Sequence, residues 1–149
     1  MKLTSNFSLS EFTKSPTAIK NGIINEPSKE QINKLRALCE NVLQPLRNNY
    51  GKGININSGF RSIELNAKIG GARSSQHMSG EAADIDTIND NADLFFHIRH
   101  NIKFDQLIWE FGDRENPAWI HVSYCKGNNR NSVLRAERIN NRTTYTKMT

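Results

Sequence analysis

Ser75-Gln76-His77-Met78-Ser79-Gly80-Glu81-Ala82-Ala83-Asp84 joins a polar loop to a short apolar strand. The loop runs from Ala72 to Ser79, and the strand is read over Ala82 to Asp86. Asp84 therefore falls in an apolar setting, where an isolated carboxylate is costly and demands a cation or strong donors. Small residues surround His77, which suits a place where backbone must approach an ion closely. Two readings of the stretch follow: His77 and Asp84 share a site, or His77 is an ordinary loop residue.

Upstream, Ile54 and Ile56 alternate with Asn55 and Asn57, the pattern of a half-buried strand. Ser58-Gly59-Phe60-Arg61 turns out of it, and Ser62 caps a short helix carrying Leu65 and Ile69 that ends at Gly70-Gly71. The longest helical pattern opens at Pro27-Ser28, with Gln31 three residues after the cap and Ile32, Leu35, Leu38, Cys39, Val42, Leu43 and Leu46 on one face. Pro45 should kink or weaken its last turn. Ser8-Leu9-Ser10-Glu11 predicts a short helix start in a region ended by Gly22. Downstream, Asn89 or Asp90 caps a helix with Leu94, Phe95 and Ile98 inward, and two strands, Asp105–Phe111 and Trp119–Tyr124, close the domain around a hairpin-like loop. Helices and strands mix without a βαβ rhythm. The fold expected is α+β, with helices packed on a small antiparallel sheet.

The 149 residues make one domain, with no repeat or low-complexity linker. No apolar run is long enough to span a membrane, and the first residues lack the apolar core of a secretory signal. A cytoplasmic product that reaches its target by release or another export route is expected. Cys39 and Cys125 cannot build a disulfide framework and read as two reduced, buried thiols. The net charge is +5, and residues 126–149 hold six Lys or Arg against the single acid Glu137, so the remainder of the chain is neutral. That end segment, within the same domain or as a loose arm, either meets an anionic partner or is a solvated tail. It carries one aromatic, Tyr145, and no recognition motif, so nucleic acid is not an expected partner.

His97 and His100 lie on the helix after Asp90 and read as surface or helix-end residues. His121 lies in the strand Trp119-Ile120-His121-Val122-Ser123-Tyr124, on the face of Trp119 and Ser123. Two histidines and one carboxylate form a possible zinc set with one tetrahedral position left open. The alternative is a hydrogen-bonded core histidine at 121.

Ser75-x-His77-x-x-Gly80-x-Ala82-x-Asp84 resembles the SxHxxGxAxD signature of the M15 zinc peptidases, the D-alanyl-D-alanine carboxypeptidase and L-alanoyl-D-glutamate endopeptidase group. Asn6 to Phe12, Pro45-Leu46-Arg47, Ser58 to Ser62 and Trp119 to Ser123 resemble the short, single-domain phage and prophage-type branch of that group. The likeness covers roughly residues 5–125, giving a zinc peptidase domain over 1–125 and a basic extension over 126–149. It implies the hedgehog/D-Ala-D-Ala peptidase-like fold. It implies one Zn2+ held by His77, Asp84 and His121, and Arg61 holding a substrate carboxylate or carbonyl, against the alternative of a helix-entry ion pair. Ser75 contacts substrate or orients its loop. Many members carry an acid three positions before the last histidine, but Ala118 stands there. Glu110, Asp113 and Glu115 are the candidates for general base. Glu110 is favoured because its strand resembles the one that ends in the site glutamate of the related hedgehog domain, and because a sheet fixes a side chain better than a loop. The implied function is a monomeric metallopeptidase cutting the peptides of bacterial cell-wall peptidoglycan, as a carboxypeptidase or endopeptidase, including a phage lysis enzyme (endolysin) or virion enzyme. The alternative is a zinc-bearing module that binds wall peptides or a protein without cleaving them.

Overall fold

The computed structural model describes residues 1–88 and 90–149. A short hairpin, β1 (Lys2–Thr4) and β2 (Phe7–Ser8), leads into α1 (Leu9–Thr13). The Glu11 carboxylate accepts from Ser8 N–H at 2.7 Å, as the capping pattern predicts. The region before Gly22 holds a second helix, α2 (Pro16–Asn21), with Ser15 as cap and Pro16 at the first helical position.

The long apolar stripe forms α3 (Lys29–Leu38) and α4 (Gln44–Tyr50), joined without a break by a π-helical turn over Cys39–Leu43. Pro45 explains the turn. It lacks an N–H and its ring would crowd the carbonyl four residues back, so the helix widens just before it. Gln44 N–H accordingly donates to Cys39 O. Leu35, Leu38, Cys39, Val42, Leu43 and Leu46 are all fully buried.

There follow β3 (Asn55–Ser58), α5 (Ile63–Ile69), β4 (Ala82–Asp86), α6 (Asn91–Asn101), β5 (Gln106–Glu110), β6 (Trp119–Ser123), β7 (Ser132–Ile139) and β8 (Arg142–Lys147). Ser62 caps α5 and Asp90 caps α6. Asn89, the other candidate cap, lies outside the described residues. The six strands form one sheet in the order β3-β4-β6-β5-β7-β8. The α+β class is as expected, but the sheet is larger than expected and not wholly antiparallel, because β5 and β7 run parallel. The segment after residue 126 supplies β7 and β8, so most of it is built into the sheet. Helices pack on one face of the sheet, where Phe95, Ile98, Leu107, Trp109, Ile120 and Val122 join the helical core. Cys39 is buried and Cys125 half-buried, both free. Among the described residues no helix is long and apolar enough to cross a membrane.

Candidate active site

Strand pairing alone brings two of the candidate ligands together. Asp84 of β4 is opposite His121 of β6, and His121 is opposite Ile108 of β5. Residues directly opposite share a face with their Cβ atoms about 4.5–5.5 Å apart. Glu110 lies two residues along β5 from Ile108, on the same face and diagonal to His121.

His77 arrives from the loop, and its neighbours explain the shape of that loop. Ser75 Oγ accepts from His77 N–H at 3.2 Å. Gly80 has φ +82°, and a Cβ there would lie 2.6 Å from Gln31 O, so the loop docks against α3 only through glycine. Gln31, the capping glutamine of α3, also donates from Nε2 to Met78 O at 3.1 Å. The loop thus rests on the helix cap.

His77 Nδ1 is 2.7 Å from Gly59 O. A carbonyl only accepts, so Nδ1 carries the proton, and in a neutral ring Nε2 presents a lone pair. That lone pair faces Asp84 Oδ1 at 3.2 Å, and His121 Nδ1 faces the same oxygen at 3.2 Å. Two imidazoles converging on one carboxylate oxygen need positive charge between them, either a proton or a metal ion. The three ligand atoms lie within 4.8 Å of one another. A tetrahedron with bonds of about 2.0–2.1 Å has edges of roughly 3.3 Å, so the 3.2 Å contacts are of the length a zinc site requires. His121 Nε2 is buried and without a hydrogen-bond partner among the described residues. Burial pushes the Asp84 carboxyl up, but the imidazoles of His77 and His121 more than offset it and hold the group well below the usual carboxylate range.

Arg61 meets the second Asp84 oxygen, with Nη2 3.3 Å from Oδ2. Its Nε donates to Ser58 Oγ at 3.1 Å and its Nη1 to Asn66 Oδ1 at 3.2 Å. The guanidinium is therefore paired within the protein, yet two of its five N–H groups remain and it lines the cleft.

Glu110 is 7% exposed. Burial, and then the negative charge of Asp84, push its carboxyl up to about 7, against the opposing pull of His121 and Arg61. The other two acids are differently engaged. Asp113 turns its carboxylate onto Glu115 N–H and Asn116 N–H, closing its own loop, and Glu115 is exposed. Arg61, Ser75, His77, Asp84, Glu110 and His121 all line one open cleft of about 810 Å³.

Two sets of supporting residues escaped the sequence reading. Buried Asn66 ties Arg61 to the loop by donating to Ala72 O at 2.9 Å. Buried Asp105 accepts from Gln76 Nε2 at 2.9 Å and from Arg130 Nε and Nη2 at 3.0 and 2.8 Å, joining the His77 loop to the segment before β7. Amide side chains and a distant ion pair have no local periodic signal. The neighbour of His77 in sequence was the one hint.

Comparison with known sequences agrees with this geometry. A sequence model of the family described as peptidase M15 matches residues 5–123, most of the chain. The chain belongs to the M15 peptidases. This M15 peptidase is also 50% identical over 44 residues to the zinc D-Ala-D-Ala carboxypeptidase of Streptomyces albus G. That stretch is 29% of the chain and spans 17% of the relative's length.

Proposed function

We propose that this M15 peptidase is a zinc-dependent hydrolase of peptides from bacterial cell-wall peptidoglycan. The observation that carries the reading is the pair of imidazole nitrogens converging on Asp84 Oδ1, with a buried glutamate on the same face of the sheet. His77 Nε2, Asp84 Oδ1 and His121 Nδ1 would hold the ion. Bound there, zinc supplies Lewis-acid polarisation of a carbonyl and lowers the pKa of a water to about 7.

The other steps belong to the chain. The Gly59 carbonyl fixes the His77 ring and its tautomer. Glu110 is the general base: its carboxylate accepts a proton from the attacking water and returns it to the departing amine nitrogen. Its strand fixes it diagonal to His121 on the face that carries the candidate ligands, the positioning a general base needs. Arg61 orients Asp84 through Oδ2, and its two remaining N–H groups are offered to a substrate carboxylate or carbonyl. Ser75 holds the loop through His77 N–H.

The substrate class rests on the family and on the relative's printed activity, and cleavage internal to the peptide or at its end are both compatible with an open cleft. Mass spectrometry of purified murein digested with the zinc-loaded protein names the bond and its polarity. Cleavage that stops with chelator, and is lost in His77→Ala, is the expected result. Intact murein with a fully loaded protein would overturn the reading in favour of a binding module.

A further inference from the structure

The family match ends at residue 123, yet β7 and β8 beyond it build one wall of the same cleft. Glu110 is opposite Ala136 of β7, and Ala136 is opposite Tyr145 of β8. The three lie in one row on the face of the sheet that carries the candidate ligands, and the row continues on the other side of Glu110 to Trp119. The residue between Glu110 and Tyr145 is a fully buried alanine, the smallest side chain that still packs. Tyr145 lines the cleft together with Glu110, His121 and Arg61.

The strand gives Tyr145 no structural reason to be aromatic. β8 reads Arg-Thr-Thr-Tyr-Thr-Lys and is exposed along its whole length, at the edge of the sheet. Tyr145 is 54% exposed and lies outside the buried core. A phenol titrates only near about 10, so the hydroxyl is a donor throughout the neutral range.

We propose that Tyr145 is a substrate-contacting residue, whose phenol donates a hydrogen bond to a backbone carbonyl of the peptide lying between Glu110 and β8. The proposal rests on the reading of the cleft as a murein-peptide site. It makes the C-terminal hairpin part of the site: one wall carries Trp119, the other Tyr145, and Glu110 lies between them.

The test is Tyr145→Phe, which keeps the ring and removes only the hydroxyl, with Thr144→Ala on the opposite face of β8 as control. Two readouts are taken: kcat/KM on a soluble murein stem pentapeptide, and calorimetric binding of that pentapeptide to zinc-loaded protein carrying Glu110→Gln, which should not turn over. Loss of one neutral hydrogen bond predicts a fall of about two- to tenfold in both for Tyr145→Phe. Zinc content and Tm should be unchanged, and Thr144→Ala should resemble the parent. Equal binding with and without the hydroxyl overturns the proposal, as does a loss that tracks a lowered Tm or zinc content. If the parent binds the pentapeptide without cleaving it, the hydrolase reading fails while the binding comparison still decides Tyr145. If the parent does not bind it, both fall.

Discussion

Glu110 concentrates the chemistry of the site in one side chain, and its environment makes signed predictions. Glu110→Gln should retain zinc and fold but lose on the order of 10²–10⁴ in rate, the usual weight of a general base, measured against metal content on the same samples. The raised carboxyl also couples to stability in metal-free protein. Its folded pKa, about 7, lies above the 4.5 of an unperturbed glutamate, so the folded state binds the extra proton. The stability this contributes is fully present below 4.5 and is lost as pH rises through 7. Over that window the loss is about 3 kcal/mol. Chelated Glu110→Gln should therefore gain on the parent as pH rises from 4 to 8 in urea titrations, and parallel curves would show that the carboxyl is not desolvated. At this scale much was legible before the structure. Asp84 in an apolar strand and His121 on a strand stand out in the residues, whereas grouping them with the loop histidine His77 rests on the family resemblance. Ala118 leaves Glu110, Asp113 and Glu115 as candidates until the likeness of the Glu110 strand favours it. Asp105 is not legible, because a hydrogen-bonding partner 25 residues away, as Arg130 is for Asp105, leaves no trace in local pattern. Asn66 reads as an ordinary polar position of a short helix, although its partners Arg61 and Ala72 are near in sequence.

Elements hold these residues through a few close approaches, and one of them is the turn after β3. Phe60 N–H donates to Phe12 O at 2.7 Å, and a Cβ on Gly59 would lie 2.7 Å from both Cα and Cβ of Phe12. The same residue offers its carbonyl to His77 Nδ1. Gly59→Ala should thus do two things at once: push the turn off α1 and misalign the imidazole. Partners that orient a ligating histidine are worth about 10–100-fold in metal affinity, and a competition titration with a zinc chelator would read that loss alongside a lower Tm. A lower Tm with unchanged zinc affinity would mean that the imidazole is fixed by other contacts. The element record shows why some boundaries were readable. Ser28, Ser62 and Asp90 each accept from the N–H three residues on, a local bond written in the sequence. β7 was not readable. It pairs in parallel with β5 across an excursion through β6, and such pairing has no turn signal. Of its residues, Ser-Val-Leu-Arg-Ala-Glu-Arg-Ile, the first four are all half-buried whichever face they take, so they show no clean alternation, and its charges suggest a tail.

For the whole molecule, the basic end segment changes meaning once it is a pair of strands. Removing residues 131–149 would strip β7 from β5, the strand that carries Glu110, so truncation cannot separate charge from fold. Individual charges can. Arg135 stacks over Trp109 at 4.8 Å, Arg130 is bound to Asp105, and Glu137 lies 3.5 Å from Arg114. Arg138 and Arg142 are exposed at the far end of the hairpin, where β7 and β8 meet through Asn140 and Asn141, both with positive φ. Charges on an edge strand discourage pairing with another chain, and they also attract an anionic polymer. Double substitution Arg138→Gln with Arg142→Gln distinguishes the two. If the charges serve the wall, hydrolysis of a soluble peptide is unchanged while hydrolysis of intact anionic wall slows at low salt. The deficit should then shrink as salt is raised toward physiological strength, where the screening length is about 8 Å. If they guard the edge, rates on both substrates match the parent and light scattering shows the variant self-associating with concentration. Slower hydrolysis of the soluble peptide as well would mean that the hairpin end communicates with the cleft wall, and neither account of the charges would hold.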